Sequence, residues 1–216
     1  MTPARALAGV AALVAASALI LQVGVTVSGQ LAAGRPVADG LWRLAGYFTI
    51  WGNASVTVVA AAMALAPQSR LAAPAVRTAV LAAIIIVGVV FAVLLRHLLA
   101  GYAGLQLVAS HLLHDAVPPL FVLAWLAAPH GDLRWRHASW CVLLPAVYLA
   151  FVLLRSQVDG FAPYWFLDLP ALGPALYARN VAGLAAAFAA VGLVAVAVDM
   201  AIASAIRRLA RHSSSS

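Results

Sequence analysis

Residues 78–95 read TAVLAAIIIVGVVFAVLL, an apolar stretch without one charged side chain. At about 1.5 Å of rise per residue, a helix needs about 20 mostly apolar residues to cross the hydrocarbon core of a bilayer. With its flanks this stretch makes a run of that length over 77–99. Five more runs read the same way, over 6–27, 45–66, 110–128, 138–154 and 180–203. The chain as a whole is 65% hydrophobic and 9% charged, with a mean hydropathy of +1.03, where soluble domains carry roughly 25% charged residues. The expected fold class is therefore all-α: a polytopic membrane protein, one bundle of six transmembrane helices over 1–212, with the serines of 213–216 as a short disordered tail. Arg5 precedes the first run as it would in a signal peptide, but the run exceeds the usual apolar region of about 7–15 residues. It reads as a retained anchor.

All 13 positive charges are arginines, and the chain has neither lysine nor glutamate. Schiff-base lysine chemistry, a phosphate-loop lysine and a glutamate acid or base are thereby excluded. The formal charge of +7 does not point to nucleic acid, because the arginines stand singly or in pairs at helix ends, where they meet lipid phosphates and set orientation. Arg5, Arg70, Arg77, Arg134, Arg136, Arg207, Arg208 and Arg211 fall on the side of the termini. Arg35, Arg43, Arg96, Arg155 and Arg179 fall on the other. That excess predicts a multi-pass cell membrane protein with both termini cytoplasmic. The single cysteine, Cys141, allows no intrachain disulfide and reads as a small buried apolar residue. There is no fixed-period repeat and no glycine fingerprint for nucleotides.

The residues able to do chemistry gather at the non-cytoplasmic end. Thr49, Asn53 and Thr57 recur every four residues at the start of the second span and so form one polar stripe. Taken alone, such a stripe is better explained as packing glue between helices. In the fourth span His111, His114 and Asp115 stand three and four residues apart, a patch of ionisable groups that is costly in a membrane and therefore a candidate site. Pro118 and Pro119 remove the amides that would have bonded the carbonyls of His114 and Asp115, so a kink is expected there. Counting from the outer ends of their spans, Thr49 and His114 both lie roughly 6–8 Å deep. A threonine hydroxyl with a histidine base is a known nucleophile pairing, and Asp115 or Asp168 is available to orient the imidazole. The stretch 156–178 holds several Pro and Gly residues interleaved with aromatics, Tyr164 among them. It is expected to be non-helical and to cap the outer mouth of the bundle.

The sequence resembles a known family, the androgen-induced and androgen-dependent membrane hydrolases of animals and their bacterial six-pass relatives. The resemblance spans most of the chain. It rests on Tyr47-Phe48-Thr49-Ile50 followed by Asn53, on His114 followed by Val117-Pro118-Pro119, on Leu133-Arg134-Trp135-Arg136, on Leu153-Leu154-Arg155 and on Pro163-Tyr164-Trp165-Phe166-Leu167-Asp168. Gly52 and Trp165 depart from the usual pattern, which has Ser and Pro there. The resemblance implies a threonine hydrolase of lipid esters, including branched fatty acid esters of hydroxy fatty acids, with Thr49 as nucleophile and His114 as base. It implies no metal and no cofactor.

The reading that follows is a membrane-embedded esterase whose partners are membrane lipids and whose lipid-ester substrate enters from the bilayer. Asn53 is the candidate donor to the developing oxyanion, and Arg96 or Arg155 the candidate cation for a free substrate carboxylate. Two other readings compete. One is a metal or haem protein using His97, His111, His114 and Asp115. The other is a non-catalytic transporter, sensor or accessory protein in which Thr49, Asn53 and His114 only bind or pack.

Overall fold

In the first helix, Ala8, Ala11, Ala12, Ala15 and Ala18 recur every three or four residues, and all five are buried. Small side chains at helical spacing let two backbones approach closely, which is how membrane helices associate in the absence of a hydrophobic drive. The computed structural model describes residues 2–213, and every regular element among them is helical. The elements are α1 (Pro3–Ala32), α2 (Val37–Ala45), α3 (Phe48–Leu65), α4 (Pro74–Val90), α5 (Gly104–His111), α6 (Val117–Ala127), α7 (Leu143–Asp159) and α8 (Leu169–Ser213).

Among the described residues six helical stretches are long and apolar enough to span a membrane: Pro3–Ala32, Phe48–Leu65, Pro74–Gly101, Gly104–Ala127, Trp135–Asp159 and Leu169–Arg211. The six expected runs correspond to them one for one. The alanine face of α1 packs on α3 and α6, and α4 lies at the centre, against α3, α6 and α8. Residues 80–84 of α4 are buried on every side of the helix, which fits its near-continuous apolar sequence. α8 docks on the 3-10 helix Trp135–Val142 that precedes α7. A Cβ on Gly192 would fall 2.8 Å from Cys141 Sγ and 3.0 Å from the Ala138 carbonyl oxygen, so this approach requires glycine.

Three expectations need correction. The connection expected between the runs over 6–27 and 45–66 contains α2, and α1 continues well beyond residue 27. The stretch 156–178 is not non-helical throughout: α7 runs to Asp159 and α8 starts at Leu169, with a break at Gly173 (φ 72°). Pro174 stands at the start of the helix that follows the break, where its missing N–H costs nothing and its fixed φ suits the first turn. The kink foreseen before Pro118 takes the form of a π-turn over Leu112–Ala116, in which the Val117 amide reaches back five residues to the Leu112 carbonyl. A second π-turn, Phe91–Leu95, lies in the third span with no proline to announce it. Of the expected tail, 214–216 lie outside the described residues.

The end of the bundle away from α2 is tied by a group that the sequence reading did not single out. Asp199 of α8 is fully buried and accepts hydrogen bonds from the Gly131 amide (3.0 Å) and the Leu133 amide (3.2 Å), with His130 Nδ1 at 2.9 Å. The Arg77 guanidinium donates to the Pro129 carbonyl of the same loop. One carboxylate thus organises the connection between α6 and Trp135. Asp199→Ala leaves three donors without their acceptor in the interior and is expected to cost about 3 kcal/mol of stability, read as a lowered unfolding temperature in detergent micelles. Ser204→Ala, on the exposed part of the same helix, is expected to shift stability by less than about 0.5 kcal/mol.

Candidate functional site

α3 begins abruptly, and its first turn is pinned from three directions. The Tyr148 hydroxyl donates to the Gly46 carbonyl (2.7 Å), Trp51 Nε1 donates to the Ala45 carbonyl (2.8 Å), and the Phe48 amide donates to the Tyr164 hydroxyl (3.1 Å). A Cβ at position 46 would fall 2.3 Å from the Phe161 ring and 2.7 Å from the Arg155 guanidinium, so the close packing of these two side chains on the turn from α2 into α3 needs glycine. Thr49 is held in this first turn, at the positive end of the helix dipole.

His114 stands in the π-turn of the fourth span and faces Thr49: the Thr49 Oγ1 to His114 Nε2 distance is 3.2 Å. The other ring nitrogen, Nδ1, lies 2.8 Å from the Ser110 backbone carbonyl, with the Ser110 hydroxyl at 3.4 Å. A carbonyl oxygen only accepts, so Nδ1 carries the hydrogen. Nε2 is then the unprotonated nitrogen of the neutral ring and accepts from the Thr49 hydroxyl. The Phe91 ring, carried by the second π-turn, stacks on the imidazole with centroids 3.9 Å apart and planes 13° from parallel. The ring has no freedom to turn away.

Asn53 is fully buried one turn along α3. Its Nδ2 donates to the Thr49 carbonyl (2.9 Å) and to the Leu113 carbonyl (3.3 Å). It therefore ties together the backbones beside Thr49 and His114, and with both amide hydrogens so occupied it is not the expected oxyanion donor. Thr57 donates to the Asn53 carbonyl (2.9 Å), which is the packing role its spacing allowed. Tyr164, whose hydroxyl accepts from Phe48, also reaches the Thr49 side chain and amide. Burial pushes its phenol pKa up, so it keeps its proton as a donor.

The dyad is a partition between two cavities. On one side lies an apolar cavity of about 300 Å³, with Val87, Leu149, Leu184 and Phe188 among its walls. On the other is a vestibule of about 780 Å³ lined partly by α1, α2 and Trp165. Thr49, His114 and Tyr164 border both.

The remaining expected residues lie elsewhere. Asp115 does not orient His114. Adjacent helix positions point about 100° apart, and Asp115 instead pairs with Arg96 and, at 2.6 Å, with His111 one turn back. Arg96 is therefore already neutralised, with its guanidinium 5.4 Å from the Phe91 ring centre. Arg155 is not available to a substrate carboxylate: it is buried between Trp42 (4.3 Å) and Phe161 (3.9 Å), donates to the Trp42 carbonyl and pairs with Asp159 at 3.0 Å. Asp168 accepts from the Ala171 amide at the start of α8 and does not reach the imidazole. His97, His111, His114 and Asp115 do not converge either. Among the described residues no group of three or more His, Cys, Asp or Glu side chains is disposed to hold a metal ion.

Three contributors were missed, the Ser110 carbonyl, Phe91 and Tyr148. For Ser110 a signal existed, since it sits four residues before His114 on the same face. Phe91 and Tyr148 come from other helices and left none. No protein-family model, curated protein or solved structure matches the chain.

Replacing Asn53 by the isosteric leucine removes both of its bridging hydrogen bonds. The expected cost is about 1–2 kcal/mol in unfolding measurements in micelles.

Proposed function

We propose that this chain is an integral membrane hydrolase of fatty acyl esters, with Thr49 as nucleophile and His114 as general base. The observation that carries the reading is the 3.2 Å approach of the Thr49 hydroxyl to an imidazole nitrogen that the Ser110 carbonyl keeps free to accept a proton. The resemblance to the androgen-induced and androgen-dependent membrane hydrolases supports it, because the same two residues are the ones that resemblance selects. With both termini cytoplasmic, as the arginine distribution favours, the dyad lies toward the extracytoplasmic side.

The reaction balances with the chain's own groups. Thr49 Oγ attacks the ester carbonyl as its proton passes to His114 Nε2. The C–O bond to the alcohol then breaks, and His114 returns the proton to the departing alkoxide. Water from the vestibule attacks the acyl-threonine, again giving a proton to His114, and the acyl C–Oγ bond breaks to release fatty acid and restore the hydroxyl. Charge on the tetrahedral oxygen is met by the Tyr164 hydroxyl and by the positive end of the α3 dipole. The apolar cavity takes the acyl chain, while the vestibule takes the alcohol half and the water. Aromatic and aliphatic walls exclude water from the acyl side, which favours a lipid over a short soluble ester.

Steady-state hydrolysis of a long-chain acyl ester by purified protein tests this. Thr49→Ala and His114→Ala are each expected to lower kcat at least 10³-fold, roughly the scale on which removing a nucleophile or its base acts, and Tyr164→Phe about 10²-fold with KM little changed. Unchanged turnover in Thr49→Ala ends the proposal.

A further inference from the structure

The vestibule carries a charge that no carboxylate among the described residues pairs with. Arg35 and Arg43 both line it, and no aspartate is among its lining residues. Elsewhere on this side of the bundle Arg96 is paired with Asp115 and Arg155 with Asp159. Arg35 has no side-chain partner among the described residues. Arg43 directs only Nε toward the Tyr47 hydroxyl, at 3.4 Å, and its terminal amines have no hydrogen-bond partner among the described residues. Gln30 and Gln106 add amide donors to the same wall. Two unneutralised guanidiniums at the border of a low-dielectric bundle draw in an anion. Their forked donors match the oxygens of a phosphate or carboxylate.

Charge chooses between these. A single carboxylate would neutralise one of the two cations. A phosphate monoester carries about −1.5 to −2 at neutral pH and offers three terminal oxygens, which suits two arginines. We infer that the vestibule is a phosphate-binding head-group site, in which Arg35 and Arg43 hold a phosphate on the alcohol half of an acyl ester. This rests on the hydrolase reading for the direction in which the ester lies: acyl chain in the apolar cavity, carbonyl at Thr49, phosphate on the arginines. The substrate class is then a single-chain or cleavable acyl ester of a phosphorylated polyol, and Arg35 and Arg43 are its specificity determinants.

The test measures binding and turnover separately. Non-hydrolysable ether analogues of one chain length, ending in a phosphate, a carboxylate or a neutral hydroxyl, are titrated calorimetrically into the full chain in neutral maltoside micelles. The phosphate analogue is expected to bind at least tenfold more tightly than the hydroxyl analogue and more tightly than the carboxylate. Arg35→Gln and Arg43→Gln are each expected to remove most of that advantage, with affinity for the hydroxyl analogue unchanged. Because Arg43 touches Tyr47, the Arg35 variant decides if the other fails to fold. Equal affinity for all three analogues, a carboxylate that binds as tightly as the phosphate, or an advantage that survives Arg35→Gln overturns the inference. Hydrolysis by Thr49→Ala is measured alongside. Equal binding with hydrolysis lost sinks the phosphate site and leaves the catalytic reading standing. Selective, Arg35-dependent phosphate binding with hydrolysis undiminished in Thr49→Ala supports the site and sinks the catalytic reading.

Discussion

Inside a membrane bundle an imidazole needs partners for both nitrogens, and here one partner is a backbone carbonyl. The Nδ1–H of His114 donates to Ser110 at 2.8 Å, and this single bond decides which nitrogen is left to accept. In soluble hydrolases a carboxylate commonly performs this orienting task. A buried carboxylate in this position would need desolvation of a full charge, whereas a carbonyl one turn back on the same helix is already dehydrated and fixed by the fold. The stacked Phe91 ring closes the remaining rotation. Thr49, Asn53 and the two cavities matter chemically only because this nitrogen faces them.

The two π-turns are how the helices deliver these groups. Pro118 and Pro119 deprive the helix of its ordinary hydrogen bonds, and the five-residue bond from Val117 to Leu112 absorbs the loss while rotating His114 toward α3. The turn at Phe91–Leu95 carries the ring that stacks on His114. Asn53 then clamps the two sides by bonding both the Thr49 and Leu113 carbonyls. Its Oδ1 has no protein partner among the described residues, a cost borne at the point where helix register matters most. The opposite end of the bundle is stiffened independently by Asp199, His130 and Arg77. Rigidity there and openness at the vestibule leave the bundle fixed at one mouth and accessible at the other.

Much of this was legible in the chain, and the parts that were not share a cause. Apolar run length alone located six spans, and four-residue spacing placed Thr49, Asn53 and Thr57 on one face. The matching depth of Thr49 and His114 rested on elementary helix rise. The role of Asp115 was misjudged although helix geometry already argued against it: neighbours in sequence point about 100° apart, and residue i−4 lies under the ring. What no spacing could reveal was partner choice across helices. Asn53 has donors and an acceptor, and only the position of Leu113 decides that the donors are occupied. Arg155 looks free until Trp42, Phe161 and Asp159 close around it. The pairing of His130 with Asp199 joins residues far apart in the chain, each unremarkable in its own segment.

The central claim is that Thr49 Oγ is a nucleophile made reactive by His114, and covalent trapping addresses it most directly. Purified protein in micelles, treated with a long-chain fluorophosphonate and digested for mass spectrometry, is predicted to carry one phosphonyl adduct, on Thr49, which His114→Ala abolishes while leaving the protein folded. An adduct on Ser110 or another hydroxyl, labelling of Thr49 that persists without His114, or no adduct at all would contradict the account.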